Sequence, residues 1–110
     1  MSEFVEYLHE VFIEFGPIRN RKMFGGHGIY HYDLMFGLVF EDELFLKTDK
    51  ENVVLFEELG LDAFEFKAKD KLIKMSYYRA PEEIYDDPEF AQKWANIAYD
   101  AALRTNSKKK

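Results

Sequence analysis

Between Phe24 and Lys47 the chain holds three apolar runs, 24–32, 34–40 and 44–47, separated only by short polar steps. Parallel neighbours need a crossover of about a dozen residues or more, so runs joined this tightly must pair antiparallel, as a meander. Tyr32-Asp33-Leu34 and Glu41-Asp42-Glu43 are the expected turns. In the middle run Leu34, Phe36, Leu38 and Phe40 alternate with Met35, Gly37 and Val39, so both faces are apolar. A strand with one wet face would alternate apolar with polar. The run is therefore expected at the centre of a sheet. Its second face would be covered by the terminal helices or by another subunit.

Around this meander the remaining pattern is mixed. Phe4, Leu8, Val11, Phe12 and Phe15 recur at helical spacing, with Glu3, Glu6, Glu10 and Glu14 between them. This predicts an amphipathic helix capped by Ser2 and ended by Gly16-Pro17. Ile18-Arg19-Asn20-Arg21-Lys22 reads as a short cationic connection. Thr48-Asp49-Lys50-Glu51 fits a capping box opening a short helix that Gly60 stops. Ala63–Lys67 and Leu72–Tyr78 form a second hairpin around Lys69-Asp70-Lys71. Its lysines 67, 69, 71 and 74 suit an edge protected against self-pairing, or a cationic strip. Ala80-Pro81-Glu82-Glu83 starts a short helical turn. Asp87-Pro88-Glu89 starts a last helix, with Phe90, Trp94, Ile97, Ala98 and Ala101 on one face. Residues 106–110 read as a fraying basic end. The expected order is α-β-β-β-α-β-β-α: one domain over 1–110, two-layer α+β, with helices packed on a mostly antiparallel five-stranded sheet.

Composition narrows the function. The net charge of -6 opposes attraction of a phosphate backbone by the overall field, so nucleic acid would need a local basic patch. With no cysteine, disulfides, thiolate nucleophiles and cysteine zinc sites are excluded, which fits a reducing cytoplasm. The N-terminus lacks the pattern of a signal peptide, and no apolar run approaches ~18 residues, so no membrane span is expected. Aromatics are the excess: 11 Phe, 7 Tyr and 1 Trp, 17% of the chain, enough to build a core and furnish a binding surface.

The densest stretch is Arg21-Lys22-Met23-Phe24-Gly25-Gly26-His27-Gly28-Ile29-Tyr30, with three of the six glycines in four positions. In a strand such glycines signal a bulge or a close approach of another backbone. A dinucleotide loop needs a strand before it and a helix after it, and here the order is reversed. His27 and His31, four apart, could begin a metal site with Asp33, but a closed site would need a further ligand. Ser76 lies in a strand without a nucleophile turn, and the carboxylate pairs at 82–83 and 86–87 sit at helix starts, where they cap. No catalytic set and no cofactor is expected.

The same central stretch, with Met35-Phe36-Gly37-Leu38-Val39, Leu44-Phe45-Leu46-Lys47-Thr48-Asp49, Met75-Ser76-Tyr77-Tyr78, Pro81-Glu82-Glu83 and the Trp94 helix, resembles the N-terminal domain of the TfoX/Sxy family. The resemblance runs from about Phe15 to Arg104. It implies a secretion-chaperone-like α+β fold and no catalytic residues. The family's founding members regulate bacterial competence genes together with the cyclic-AMP receptor protein, and they carry a second, C-terminal domain; this chain would be the single-domain form. The expected function is a non-enzymatic regulatory or adaptor domain that binds a protein partner, with homodimerisation as one way to cover the apolar face. The candidate binding residues are Arg19, Arg21, Lys22, Phe24, His27 and Tyr30. The alternatives are a nucleic-acid module using Arg19, Arg21, Lys22 and the lysine tail, or a ligand or metal protein near His27, His31 and Asp33.

Overall fold

The computed structural model describes residues 3–23 and 25–108. The expected cap Ser2, the candidate Phe24 and the last two lysines lie outside this range. The elements are α1 (Glu3–Val11), β1 (Arg19–Met23), β2 (Gly26–His31), β3 (Leu34–Phe40), β4 (Glu43–Lys47), α2 (Val53–Glu58), β5 (Ala63–Ala68), β6 (Lys71–Arg79), a 3₁₀ turn (Glu82–Tyr85) and α3 (Pro88–Lys108). The class is α+β with an antiparallel sheet, as expected. The strand order is β1-β2-β3-β4-β6-β5.

The sheet has six strands rather than five. The extra one is β1, read from the sequence as a connection. It pairs with β2 without a register break, from Arg19↔Tyr30 to Met23↔Gly26. Arg-Asn-Arg-Lys-Met has no apolar alternation because it is an edge strand, and its conformation comes from pairing rather than propensity. Gly25, with φ +79, turns the chain between the two strands. A side chain on Gly26 would place its Cβ 2.1 Å from the Val39 carbonyl oxygen, so this glycine marks the close backbone approach expected from the cluster.

A bulge is also present, but on β3 and not in the glycine-rich run where it was the alternative expectation. Ile29 opposes Gly37 while Tyr30 opposes Met35, which leaves Phe36 as the extra residue. The insertion reverses the alternation of faces. Phe36 and Val39 therefore both face the helices, whereas Met35 and Leu38 face the other way.

Both long helices pack on one face of the sheet. Val5, Leu8 and Phe12 from the α1 segment and Ala91, Trp94, Ala95, Ala98 and Ala102 from α3 join Ile29, Phe36, Leu46 and Phe56 in one core. The alanines let α3 approach the sheet closely. Phe12, Phe36 and Phe56 are fully buried, each contributing about 1.5–3 kcal/mol of transfer free energy. Trp94 meets Phe56 edge-on at 5.0 Å.

One expectation about caps is corrected. Thr48 is buried and no box forms with Glu51; instead the Asp49 carboxylate accepts from the amides of Glu51 and Asn52, both at 3.0 Å. Asn52 is buried too, and its Nδ2 donates to the carbonyls of Lys47 and Ile97. This turn is needed to hold α3, a tertiary demand that a local pattern does not carry. Arg104 of α3 adds two bonds to Asp49, at 2.6 and 3.0 Å, and holds its carboxyl down at about 2. At the C-terminus α3 continues through Asn106 and Ser107 to Lys108. Asp87 does cap α3, accepting from the amides of Glu89 and Phe90.

Candidate binding face

Among the described residues the terminal helices do not lie over the centre of the second face, contrary to the first of the two expectations for β3. Its centre is closed by its own side chains: Leu38, Phe45, Phe64 and Tyr77 are buried against one another. Phe64 of β5 reaches Phe45 edge-on at 5.0 Å and Phe40 at 5.4 Å, so strands from opposite parts of the sheet share one cluster. Burial pushes the Tyr77 hydroxyl's pKa up. Around this centre lie half-buried Met23, Met35 and Met75, side chains that adapt to irregular surfaces.

Register decides which candidate residues meet. Arg19 lies opposite Tyr30 and Arg21 opposite Gly28, which puts Arg19, Arg21 and Tyr30 on the open face. Met23 and Met35 close over Gly28 beside the Tyr30 ring. With Asn20 and Asp33 the two arginines and Tyr30 line a cleft of about 430 Å³. Arg19 is ion-paired with Asp33, both side chains being mostly exposed, and such pairs contribute little to stability. Arg21 is exposed and has no ion pair among the described residues. Arg19 is thus engaged at the cleft and Arg21 is not.

Lys22 and His27 oppose each other on the helix side, so they are separated from the cleft. His27 is half-buried, and its Nε2 finds no hydrogen-bond partner among the described residues. His31 is engaged elsewhere. Its Nδ1 lies 2.7 Å from the Pro17 carbonyl, which can only accept, so this nitrogen carries the proton. Its ring packs on Phe15 at 4.4 Å, Tyr32 at 4.2 Å and Tyr99 at 5.0 Å, closing the α1–β1 connection onto α3. Asp33 is turned to Arg19. His27, His31 and Asp33 therefore do not converge, and no group of three metal-ligating side chains converges among the described residues.

Sequence reading missed Asn20, and it missed the rim of the open face. There Lys47 stands over the Tyr77 ring at 5.3 Å and donates to Ser76 Oγ at 2.6 Å, and Arg79 stands over Phe45 at 5.6 Å while pairing with Glu43. The signal was available in part. Had 19–23 been read as a strand turning at Gly25, Arg19, Arg21 and Tyr30 would have fallen on one face.

No helix among the described residues is long and apolar enough to cross a membrane. A curated relative, the DNA transformation protein TfoX1 of Aliivibrio fischeri (strain ATCC 700601 / ES114), is 33% identical over 82 residues. That stretch is 71% of this chain and 39% of the relative, so the chain spans well under half of that protein. The family model of the TfoX N-terminal domain matches residues 10–102, from the end of α1 to the last buried turn of α3, and the chain belongs to that family.

Proposed function

We propose that this chain is a non-catalytic regulatory domain of the DNA-transformation type, which works by binding a protein partner across β1 and the adjoining open face. The observation that carries the reading is the cleft in which Arg21 of the edge strand β1, without an ion pair among the described residues, stands beside Tyr30 of β2. Arginine and tyrosine are the residue types that most often anchor protein interfaces. An edge strand adds free backbone groups that a partner segment can pair with. The name of the relative and the regulatory character of the family supply the biological context.

Charge favours a protein over nucleic acid as the partner. Neutralisation of Arg19 by Asp33 leaves a single free cation in the cleft, on a chain with net charge -6. Binding to a phosphate backbone draws its affinity from several cations at once.

The test is affinity capture from a lysate of the source cells, using the wild-type chain and Arg21→Glu, with and without nuclease. A stoichiometric protein that survives nuclease and is lost with Arg21→Glu, at unchanged thermal stability, is the expected result. Recovery that vanishes with nuclease would replace the protein partner with nucleic acid. Capture unaffected by Arg21→Glu would remove the cleft from the binding surface.

A further inference from the structure

The β5–β6 hairpin extends past the sheet that supports it. β4 pairs with β6 at Tyr77, Tyr78 and Arg79, and the last rung is the Thr48 amide to the Ser76 carbonyl at 2.9 Å. Beyond that point β6 has β5 as its strand neighbour, through Glu65↔Lys74, Phe66↔Ile73, Lys67↔Leu72 and Ala68↔Lys71. Residues 65–74 thus form a two-stranded arm. An isolated hairpin is marginal in water, and it gains stability when a face is covered.

The arm carries apolar groups ready for such cover. Leu72 is 63% exposed and Ile73 is 46% exposed, on opposite sides of the strand. Lysines 67, 69, 71 and 74 outnumber Glu65 and Asp70, so the arm is cationic in an acidic chain. The exposed surface of α2 has the opposite character. Val54, Leu55 and Leu59 are exposed there beside Glu57 and Glu58, and residues 53–59 include no cation. These two elements hold five of the nine large apolar side chains that are exposed among the described residues. A surface spread of single apolar residues needs no explanation, but paired clusters of matched apolar content and opposite charge do.

We infer that two copies of this chain associate by exchanging hairpin arms, the lysine-rich arm of one lying on the acidic, aliphatic surface of α2 in the other. Both halves of the contact belong to one molecule, and both stay exposed in the single chain, so a second copy supplies each with its complement. A two-fold axis makes the contact twice and closes the assembly. The contact does not involve Arg21 or Tyr30, so it stands or falls separately from partner binding at the cleft.

Sedimentation equilibrium of the 110-residue chain tests the inference. The wild type is expected to associate to twice its mass of 13.1 kDa. Leu72→Asp is expected to raise the dimer dissociation constant at least about tenfold, as for loss of an interface anchor. Lys67→Glu/Lys74→Glu, on the side of the arm that carries Leu72, and Glu57→Lys/Glu58→Lys are each expected to weaken the dimer, and the four changes combined in one chain to restore it. Circular dichroism of each variant verifies folding, and the charge reversals at exposed positions keep the test decisive if Leu72→Asp disturbs the arm. The inference is overturned by a wild type that stays monomeric at every attainable concentration. It is equally overturned by a dimer insensitive to these changes, or by a combined variant that associates no better than the separate ones.

Discussion

The two faces of the sheet bury aromatic residues in different ways. On the helix side Phe36 is enclosed by Phe12, Phe15 and Tyr99, with ring centroids 5.1–6.4 Å apart, and helices pack against this layer. On the open side Leu38, Phe45, Phe64 and Tyr77 are buried against one another, within a border of methionines, arginines and Lys47. The first face is a core that needs only to be filled. The second is a small cluster with an exposed, cation-bearing border. The difference teaches that burial alone does not separate a backed core from an open face here. What lies beyond the buried atom does.

The largest test of that contrast is a pair of truncations measured by denaturant unfolding. Phe36→Ala is expected to cost about 3–5 kcal/mol, because two layers of packed side chains prevent collapse around the void. Leu38→Ala should cost less, about 2–3 kcal/mol, since half-buried Met35 and Phe40 can move into the space. Equal losses, or the reverse order, would break the distinction between the faces.

The next effect sharpens how α3 is held onto its face. Asp49→Asn removes a charged partner from Arg104 and is expected to cost about 1–2 kcal/mol at neutral pH. The folded carboxyl is depressed from 3.8 to about 2, so its contribution is full above the unfolded value and is lost as pH falls through the folded one. The gap between wild type and variant should therefore close between pH 3.8 and about 2. A gap independent of pH in that window would show that the hydrogen-bonded shape of the side chain, rather than its charge, holds the helix. At the alkaline end, burial first and then nearby Glu82 and Tyr7 push the Tyr85 hydroxyl up to about 12. Stability present below the ordinary tyrosine value near 10 should thus decline as pH rises toward 12, and Tyr85→Phe should lessen that decline.

The smallest stability effect belongs to the open face. Arg21→Glu is expected to change unfolding free energy by no more than about 0.5 kcal/mol, as exposed substitutions do. The same change should abolish partner capture. A large loss of stability would make Arg21 part of the sheet's own architecture and would move the binding surface elsewhere.

Much of the meander was legible because each turn is short and polar. Tyr32-Asp33 and Glu41-Asp42 take positive φ at both positions, as tight hairpin turns require, and the strands between them begin and end within a residue or two of the expected limits. The glycine cluster correctly signalled a close approach, while the bulge offered as its alternative lies on β3 instead. It could not say that the extra residue would be Phe36, because that depends on which partner residue is skipped in the register. β1 was missed for a related reason: an edge strand can be polar on both faces, so it has no pattern of its own. The His27–His31 spacing suggested a shared face, but the environments of the two rings are set by Lys22 on one side and by Phe15, Pro17 and Tyr99 on the other.

What the chain determined by itself was its helices and five of its six strands, its antiparallel sheet and the helical faces that cover one side of it. Periodicity and turn chemistry are local, and both are carried by residues close together in the sequence. Tertiary structure decided the sixth strand, the turn that Asn52 uses to hold α3, and the meeting of Arg19, Arg21 and Tyr30 in one cleft. Each of these depends on a register or a packing contact between distant segments. A shift of one residue in a strand pair moves every side chain to the other face, and no local pattern records which register will win.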